Sequence, residues 1–106
     1  MTMLRFEVAG DADGRPATRD CTHLDHVKDV QPSTTKGCED CLKEGTHWVH
    51  LRECLECGHV GCCDNSPRRH ATAHWHGSNH PLMRSFEPEE DWAWCYPDEL
   101  FLLPAG

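Results

Sequence analysis

Hydrophobic and polar residues alternate along several short stretches of the chain, and this period of two is typical of half-buried β-strands. The pattern predicts four strands, at residues 48–52, 82–86, 92–96 and 100–103. In the third of these stretches, Trp92, Trp94 and Tyr96 fall on one face, while Ala93 and Cys95 fall on the other. A further alternation at residues 4–8 is consistent with a short edge strand.

A helix start follows the second cysteine-rich stretch. Ser66 offers a hydroxyl that suits an N-cap, and Pro67 suits the first helical position, where a missing backbone N–H costs little. Gly77 suits the left-handed residue that ends a helix. We therefore predict one main helix, over about residues 67–76.

The length of 106 residues favours a single domain. Residues 10–20 are polar and contain glycine and proline, so we predict a flexible N-terminal segment over residues 1–20 and a folded domain over 21–106. Only 38% of the residues are hydrophobic. A core this small is marginal, so we expect additional cross-links.

Cysteine and histidine occur in spacings that favour metal binding. Residues 54–80 hold four cysteines and five histidines, and a second C-x2-C pair lies upstream at Cys38 and Cys41. Thiolate and imidazole groups at such spacings are the ligands of tetrahedral zinc. One structural zinc can contribute roughly 10–16 kcal/mol of apparent binding free energy, which is then folding free energy.

Disulfides are the alternative use of eight cysteines. Residues 1–20 contain no apolar stretch typical of a secretion signal, and no stretch of the sequence is typical of a membrane span. We therefore expect a cytoplasmic protein whose cysteines bind metal.

The formal net charge of −8 favours protein or peptide partners, because a negative field repels nucleic acid and acidic membranes. We expect a monomer that binds neither nucleic acid nor membranes. The spacing from Cys54 to His74 also fits a DNA-binding finger with two cysteine and two histidine ligands. In such a finger, Gly61 and Pro67 would replace an aromatic residue and a leucine, and a proline is incompatible with the middle of a recognition helix.

These motifs together resemble a known family. The segment WVHLRECLECGHVGC, the histidine run that ends in His80, and the later Trp94-Cys95-Tyr96 are similar to the UBP-type zinc finger of ubiquitin-specific proteases and of a ubiquitin-binding deacetylase. The resemblance covers roughly residues 21–100. It implies a small α+β domain with a twisted antiparallel sheet, one main helix and interleaved zinc sites.

The resemblance also implies two to three structural zinc ions. It assigns the ligands to three sets, which are Cys38, Cys41, Cys62 and His70; Cys54, Cys57, His74 and His80; and Cys21, His23 and Cys95 with Asp98. In the third set the family has a cysteine where this chain has Asp98, and a carboxylate oxygen is an acceptable zinc ligand.

Some of these assignments do not follow from spacing alone. His70 and His74 lie one helical turn apart and could bind one ion together, and only the resemblance separates them. Cys63 is either a spare thiol or the ligand in place of Cys62, although the C-x4-C spacing favours Cys62. His26 could compete with His23. We expect the remaining histidines to be solvated or hydrogen-bonded, namely His47, His50, His59 and His76.

Each predicted site has four protein ligands, so we expect no catalytic zinc and no enzyme activity. The resemblance implies a groove that binds the C-terminal Gly-Gly of ubiquitin through aromatic residues and an arginine. Trp94 and Tyr96 match two of the aromatic residues, but Asp64 replaces the arginine and would repel a carboxylate. Arg52, which replaces a family tryptophan, could supply the positive charge.

The sequence thus predicts a zinc-binding, non-enzymatic module that binds a protein or peptide C-terminus, with Asp64 arguing against the ubiquitin tail. The alternatives are a purely structural or regulatory zinc protein, and a redox or zinc sensor that uses Cys62 and Cys63.

Overall fold

The computed structural model describes residues 5–10 and 20–104, and in these ranges it shows a six-stranded antiparallel sheet with two helices. The strands are β1 (Phe6–Val8), β2 (Leu51–Cys54), β3 (Val60–Cys62), β4 (Leu82–Ser85), β5 (Ala93–Cys95) and β6 (Leu100–Pro104). The helices are α1 (Glu39–Glu44) and α2 (His70–Ser78), with one turn of 3-10 helix at Leu24–His26. The strand order is β1-β6-β5-β4-β2-β3. This is the predicted α+β class with one main helix.

The register of the sheet defines two faces. Met83, Trp94 and Phe101 are cross-strand partners on β4, β5 and β6, so they share one face, which we call the pocket face. Their neighbours point to the opposite face and form the hydrophobic core. The buried residues of this core are Phe6, Cys21, Leu55, Leu82, Ala93, Cys95 and Leu102.

Helix α2 lies against β3 at Gly61. A Cβ at this position would lie 2.7 Å from the backbone nitrogen of Ala71, so only glycine allows the helix to approach this closely. Because Gly61 pairs with Arg52 on β2, the helix covers the pocket face at that end of the sheet. Further along this face, Phe101 on β6 is 55% exposed, so the part of the pocket face around β6 is not covered.

Helix α2 is displaced from its predicted range of about 67–76. It begins at His70 and ends at Ser78, where Asn79 rather than Gly77 adopts the left-handed conformation. The Ser66 hydroxyl does not cap the helix, because it accepts a hydrogen bond from the Val49 N–H at 2.8 Å. Arg69, which precedes the helix, also has a positive φ of 47°.

The N-terminal segment contributes a strand. Phe6–Val8 pairs with β6 at the edge of the sheet, as the alternation at residues 4–8 suggested, and Phe6 is buried in the core. These three residues therefore belong to the sheet. Residues 1–4 and 11–19 of that segment lie outside the described ranges.

Strand β2 also differs from its prediction, since it begins at Leu51 and not at Trp48. The hydrophobic pattern did not predict α1, because a helix of six residues is too short to show a period. Its N-cap is Cys38, whose sulfur accepts a hydrogen bond from the Cys41 N–H at 3.4 Å.

Candidate metal centres and ligand pocket

The structure brings the twelve predicted ligands together in three clusters. In each cluster the candidate ligand atoms all lie within 4.8 Å of one another. Site 1 contains Cys38, Cys41, Cys62 and His70; site 2 contains Cys54, Cys57, His74 and His80; site 3 contains Cys21, His23, Cys95 and Asp98. His70 and His74 therefore belong to different sites, although they lie one turn apart on α2.

Site 1 joins α1, β3 and the start of α2. The Nδ1 atom of His70 lies 3.3 Å from the sulfurs of both Cys38 and Cys41, and 3.6 Å from that of Cys62. The sulfurs of Cys41 and Cys62 are 3.9 Å apart. The backbone N–H of His70 also donates a hydrogen bond to the Cys62 sulfur at 3.2 Å. This sulfur therefore accepts from the first residue of α2, where a helix leaves backbone donors unpaired.

Site 2 joins the turn after β2 to the middle of α2 and to His80, which follows the helix. The Cys54 sulfur lies 3.5 Å from His80 Nδ1, and the Cys57 sulfur lies 3.3 Å from His74 Nε2. Gly58 closes the cysteine turn with a positive φ of 84°, and a Cβ there would lie 2.0 Å from the Gln31 carbonyl oxygen. The turn therefore requires glycine.

Site 3 joins the segment before the 3-10 helix to the end of β5. The His23 Nδ1 atom lies 3.0 Å from Asp98 Oδ2 and 3.5 Å from the Cys95 sulfur. Thr22 donates its backbone N–H to the same carboxylate oxygen at 3.0 Å. This hydrogen bond, with those from His23 and Cys95, lowers the pKa of Asp98 to about 2, so the carboxylate is charged at neutral pH.

The donor atoms fit tetrahedral zinc. Zinc–sulfur bonds of about 2.3 Å and zinc–nitrogen bonds of about 2.0–2.1 Å place two sulfurs about 3.8 Å apart, and a sulfur and a nitrogen about 3.6 Å apart. The separations in sites 1 and 2 lie close to these values. Burial raises the pKa of Cys38 and Cys95 to about 12 and that of Cys54 to about 11. Thiolates at such positions need a nearby cation, and zinc supplies one.

Carboxylates support two of the histidines from outside the sites. The Nε2 atom of His70 lies 3.2 Å from a Glu44 oxygen, and that of His80 lies 3.6 Å from a Glu56 oxygen. A carboxylate at the second ring nitrogen fixes the orientation of a metal-binding histidine and raises its basicity. His26 lies 2.8 Å from the other oxygen of Glu56, so it does not replace His23 in site 3.

The remaining histidines and Cys63 lie outside the three clusters. His59 stacks on His74, with ring centroids 4.2 Å apart and an angle of 7° between the rings. Its Nε2 atom lies 2.7 Å from Asp40 on α1, so His59 connects the surroundings of sites 1 and 2. Cys63 points away from site 1, and its sulfur lies 3.7 Å from the Ser66 hydroxyl oxygen.

A pocket of about 230 Å³ opens on the uncovered part of the pocket face. It contains the four residues of the predicted groove, which are Arg52, Asp64, Trp94 and Tyr96. Further lining residues that were not predicted as groove residues are Cys63, Asn65, Ala71, Thr72, Met83, Trp92 and Phe101. The strand alternation did place Trp92 beside Trp94. The pairing of Phe101 with Trp94 had no signal, because the sequence does not show which strands are neighbours.

Aromatic and hydroxyl groups shape the walls of the pocket. Phe101 packs edge-on against Trp94, with ring centroids 4.8 Å apart, and against Trp92 at 5.6 Å. Tyr96 stacks on Trp75 of α2 at 5.5 Å. Burial raises the pKa of Tyr96 to about 12, so its hydroxyl stays protonated at neutral pH and can donate a hydrogen bond.

The sheet, the main helix and the three cysteine and histidine clusters define a small zinc-binding module. The family described as the zinc finger in ubiquitin hydrolases and other proteins matches residues 38–104, and the chain belongs to this family. This match supports two to three structural zinc ions, together with the three clusters. Cys21 and His23 of site 3 lie before the matched residues.

A solved structure shares this fold. The solution NMR structure of protein RPA1320 from Rhodopseudomonas palustris is 51% identical and has a TM-score of 0.73, with 81% of this chain and 83% of that chain covered. Among curated proteins, no sequence matches this chain. Within the described residues, no helix has the length and apolar character needed to cross a bilayer.

Proposed function

We propose that this protein is a non-enzymatic zinc-binding module whose pocket binds the C-terminal tail of a protein or peptide. The observation that carries the proposal is the pocket of about 230 Å³, which Arg52 lines together with four aromatic side chains. A chain terminus is narrow enough to enter such a pocket, and its carboxylate distinguishes it from an internal peptide segment.

Arg52 is the candidate partner of the tail carboxylate. Its guanidinium lies over the ring of Trp92, 4.6 Å from the centroid, and its Nη1 atom donates a hydrogen bond to the Leu51 carbonyl at 2.9 Å. These contacts hold the side chain in place, and in the described part of the chain no other residue accepts a hydrogen bond from its remaining N–H groups. A guanidinium binds a carboxylate through two parallel hydrogen bonds, which gives both affinity and orientation.

The three metal sites support a structural role for zinc. Each cluster offers four protein ligands, whereas a catalytic zinc keeps one position for water or substrate. Zinc then holds the chain segments that build the pocket. In particular, site 1 and site 2 fix both ends of α2, whose residues Ala71 and Thr72 form one wall.

Isothermal titration of the zinc-loaded protein tests the proposal. The ligands are an eight-residue peptide that ends in Gly-Gly with a free carboxylate, the same peptide as an amide, and ubiquitin with its intact tail. We expect the free acid to bind and the amide to bind at least tenfold more weakly, because Arg52 loses its partner. Absence of heat with every free acid, including ubiquitin, would contradict tail binding.

Variants connect that binding to the pocket. Arg52→Ala should weaken the free acid at least tenfold and leave the zinc content, measured by native mass spectrometry, unchanged. Lys43→Ala is the matched control, since Lys43 is an exposed cation on α1 outside the pocket. If both variants weaken binding equally, the effect comes from net charge and not from Arg52.

A purely structural or regulatory zinc protein remains the first alternative, and it predicts that no tail binds. A redox or zinc sensor based on Cys62 and Cys63 is the second alternative. Both cysteines are buried, with exposed fractions of 0% and 6%, which restricts access of oxidants to their sulfurs. Thiol counting with and without chelator under mild oxidant separates the two alternatives, because a sensor would release zinc.

A further inference from the structure

The pocket contains two opposite charges in different places. Arg52 lies on β2 against Trp92, as described above, whereas Asp64 lies in the loop between β3 and α2. Within residues 5–10 and 20–104, neither side chain forms an ion pair with any other residue. A ligand therefore meets one cationic group and one anionic group that the protein has not already paired.

Contacts with α2 fix the position of Asp64. The Thr72 hydroxyl donates a hydrogen bond to Asp64 Oδ1 at 2.5 Å, and this leaves Oδ2 available to a ligand. Asp64 and Thr72 line the pocket beside Tyr96, whose pKa the carboxylate helps to raise. The negative charge thus lies beside the pocket wall that the helix forms, on a loop side chain that is held by a hydrogen bond.

We infer that the pocket selects C-terminal tails with a lysine or arginine close to the free carboxylate. This inference rests on the proposed function and names its ligand class. The carboxylate pairs with Arg52, and the cationic side chain pairs with Asp64. When the tail has no cation, Asp64 has no partner and repels the tail carboxylate. An acidic side chain in the tail adds a second repulsion with Asp64.

The charge of the whole protein acts in the same direction. The formal net charge is −8, and loading with zinc hardly changes it, because the ions offset the charge of the thiolates that bind them. A basic tail is attracted before it reaches the pocket, and an acidic tail is repelled. A cation without a carboxylate is not the preferred ligand, because Arg52 would repel it from the aromatic walls.

Four peptides of equal length test the inference by isothermal titration. All carry the same uncharged host sequence and end in Gly-Gly, and the third residue from the end is Lys, Ala or Glu in three free acids and Lys in one amide. We expect affinity to fall from Lys to Ala to Glu by roughly three- to tenfold at each step, as for a partly enclosed charge pair. Moving the Lys among the last four positions of the peptide then shows how far from the free carboxylate the cationic side chain binds.

Asp64→Asn is the decisive variant, because an asparagine can keep the hydrogen bond from Thr72 while losing the charge. It should reduce the difference between the Lys and Ala acids to less than twofold. Glu7→Gln is the matched control, since Glu7 is an exposed acid on β1 outside the pocket. This control should keep the Lys preference, and native mass spectrometry should find unchanged zinc in both variants.

Each outcome decides between the two proposals. Equal binding of the Lys, Ala and Glu acids overturns the selectivity for basic tails and leaves tail binding intact. A Lys preference that survives Asp64→Asn overturns the role of Asp64 as the partner of the cation. Binding of the Lys amide as tightly as the Lys acid overturns the role of the carboxylate and thus the proposed function. If no peptide binds, both proposals fail.

Discussion

The two ends of the sheet are stabilised by different chemistry. The metal end contains α1, β2, β3 and α2, and its buried cluster consists of Cys38, Cys41 and Cys62 with the partly buried Trp48 and Leu51. The core end contains β1, β4, β5 and β6, where Phe6, Leu82, Ala93 and Leu102 pack together. In the buried cluster of the metal end every buried side chain is a metal ligand, whereas in the cluster of the core end the buried side chains are mainly apolar.

Each end obtains its stability from a different source. Hydrophobic burial gives roughly 1.5–3 kcal/mol for each large side chain, so the core end depends on several small contributions. The metal end has few such side chains, and a zinc ion replaces them with one large contribution. We therefore expect the metal end to lose its structure without zinc, and the core end to respond mainly to changes in packing.

Loss of a ligand from site 1 should have the largest effect. Cys62→Ala removes one of three buried thiolates, and the remaining ligands cannot satisfy zinc. We expect one zinc fewer by native mass spectrometry. Amide hydrogen exchange should become rapid in α1, β3 and α2 while β5 and β6 remain protected.

Cys63→Ala is the matched control for that variant. Cys63 is adjacent in sequence and buried, but it lies outside the cluster. It should keep the full zinc content and lose only roughly 1 kcal/mol of stability. A zinc count that falls with Cys63→Ala and not with Cys62→Ala would reverse the assignment of the ligand.

A cavity in the core end should have the next largest effect. Leu102 is 0% exposed, and Leu102→Ala should reduce the free energy of unfolding by roughly 2–5 kcal/mol in denaturant titrations with zinc present. The zinc content of sites 1 and 2 should not change. The neighbouring Leu103 is 43% exposed, so Leu103→Ala should change stability by less than about 0.5 kcal/mol. Equal effects of the two variants would contradict the placement of the core.

The contact between α2 and β3 lies within the metal end, and Gly61→Ala tests it. The added methyl group would meet backbone atoms of Ala71 and force the helix to move, at a cost of roughly 1–3 kcal/mol. Because α2 carries ligands of sites 1 and 2, zinc should also become easier to remove with a chelator. Gly77→Ala, where the methyl group meets nothing within 4 Å, should be neutral or stabilising.

Site 3 lies beside the core, and its loss should have the smallest effect. Asp98→Ala replaces a carboxylate ligand with a methyl group that cannot bind metal. A chelator should therefore remove one zinc from this variant at a concentration that leaves the other two in place. Asp98→Cys should retain the third zinc at higher chelator concentrations, because it provides a third thiolate. A zinc content of two in the unaltered protein, unchanged in both variants, would show that site 3 binds no metal.

The sequence predicted most of the strands and the residues of the three clusters, for specific physical reasons. Metal ligands must be cysteine, histidine or a carboxylate, so the C-x2-C pairs and the histidine run are visible in the chain, whereas the three sets of ligands, including Asp98, came from the family resemblance. The alternation around Trp94 likewise followed from the period of a strand. The division of His70 and His74 between two sites did not follow from spacing, because a helix places both on one face.

The boundaries of α2 could not be predicted, because tertiary contacts determine them. Ser66 and Pro67 have the local preferences of a helix start, but the Ser66 hydroxyl bonds Val49, which is distant in sequence. The Cys62 sulfur accepts the N–H of His70 where a side-chain cap would otherwise act. The pocket residue Phe101 was missed for a related reason, since strand neighbours are set by the fold.

The placement of His70 and His74 on successive turns of α2 has a consequence for metal loading. When zinc occupies site 1, it fixes the helix and thereby places His74 in position for site 2, and the reverse holds equally. The stacked His59, bonded to Asp40 of α1, adds a second connection between the sites. We therefore expect the two sites to fill cooperatively, so that at limiting zinc most chains hold either both of these ions or neither.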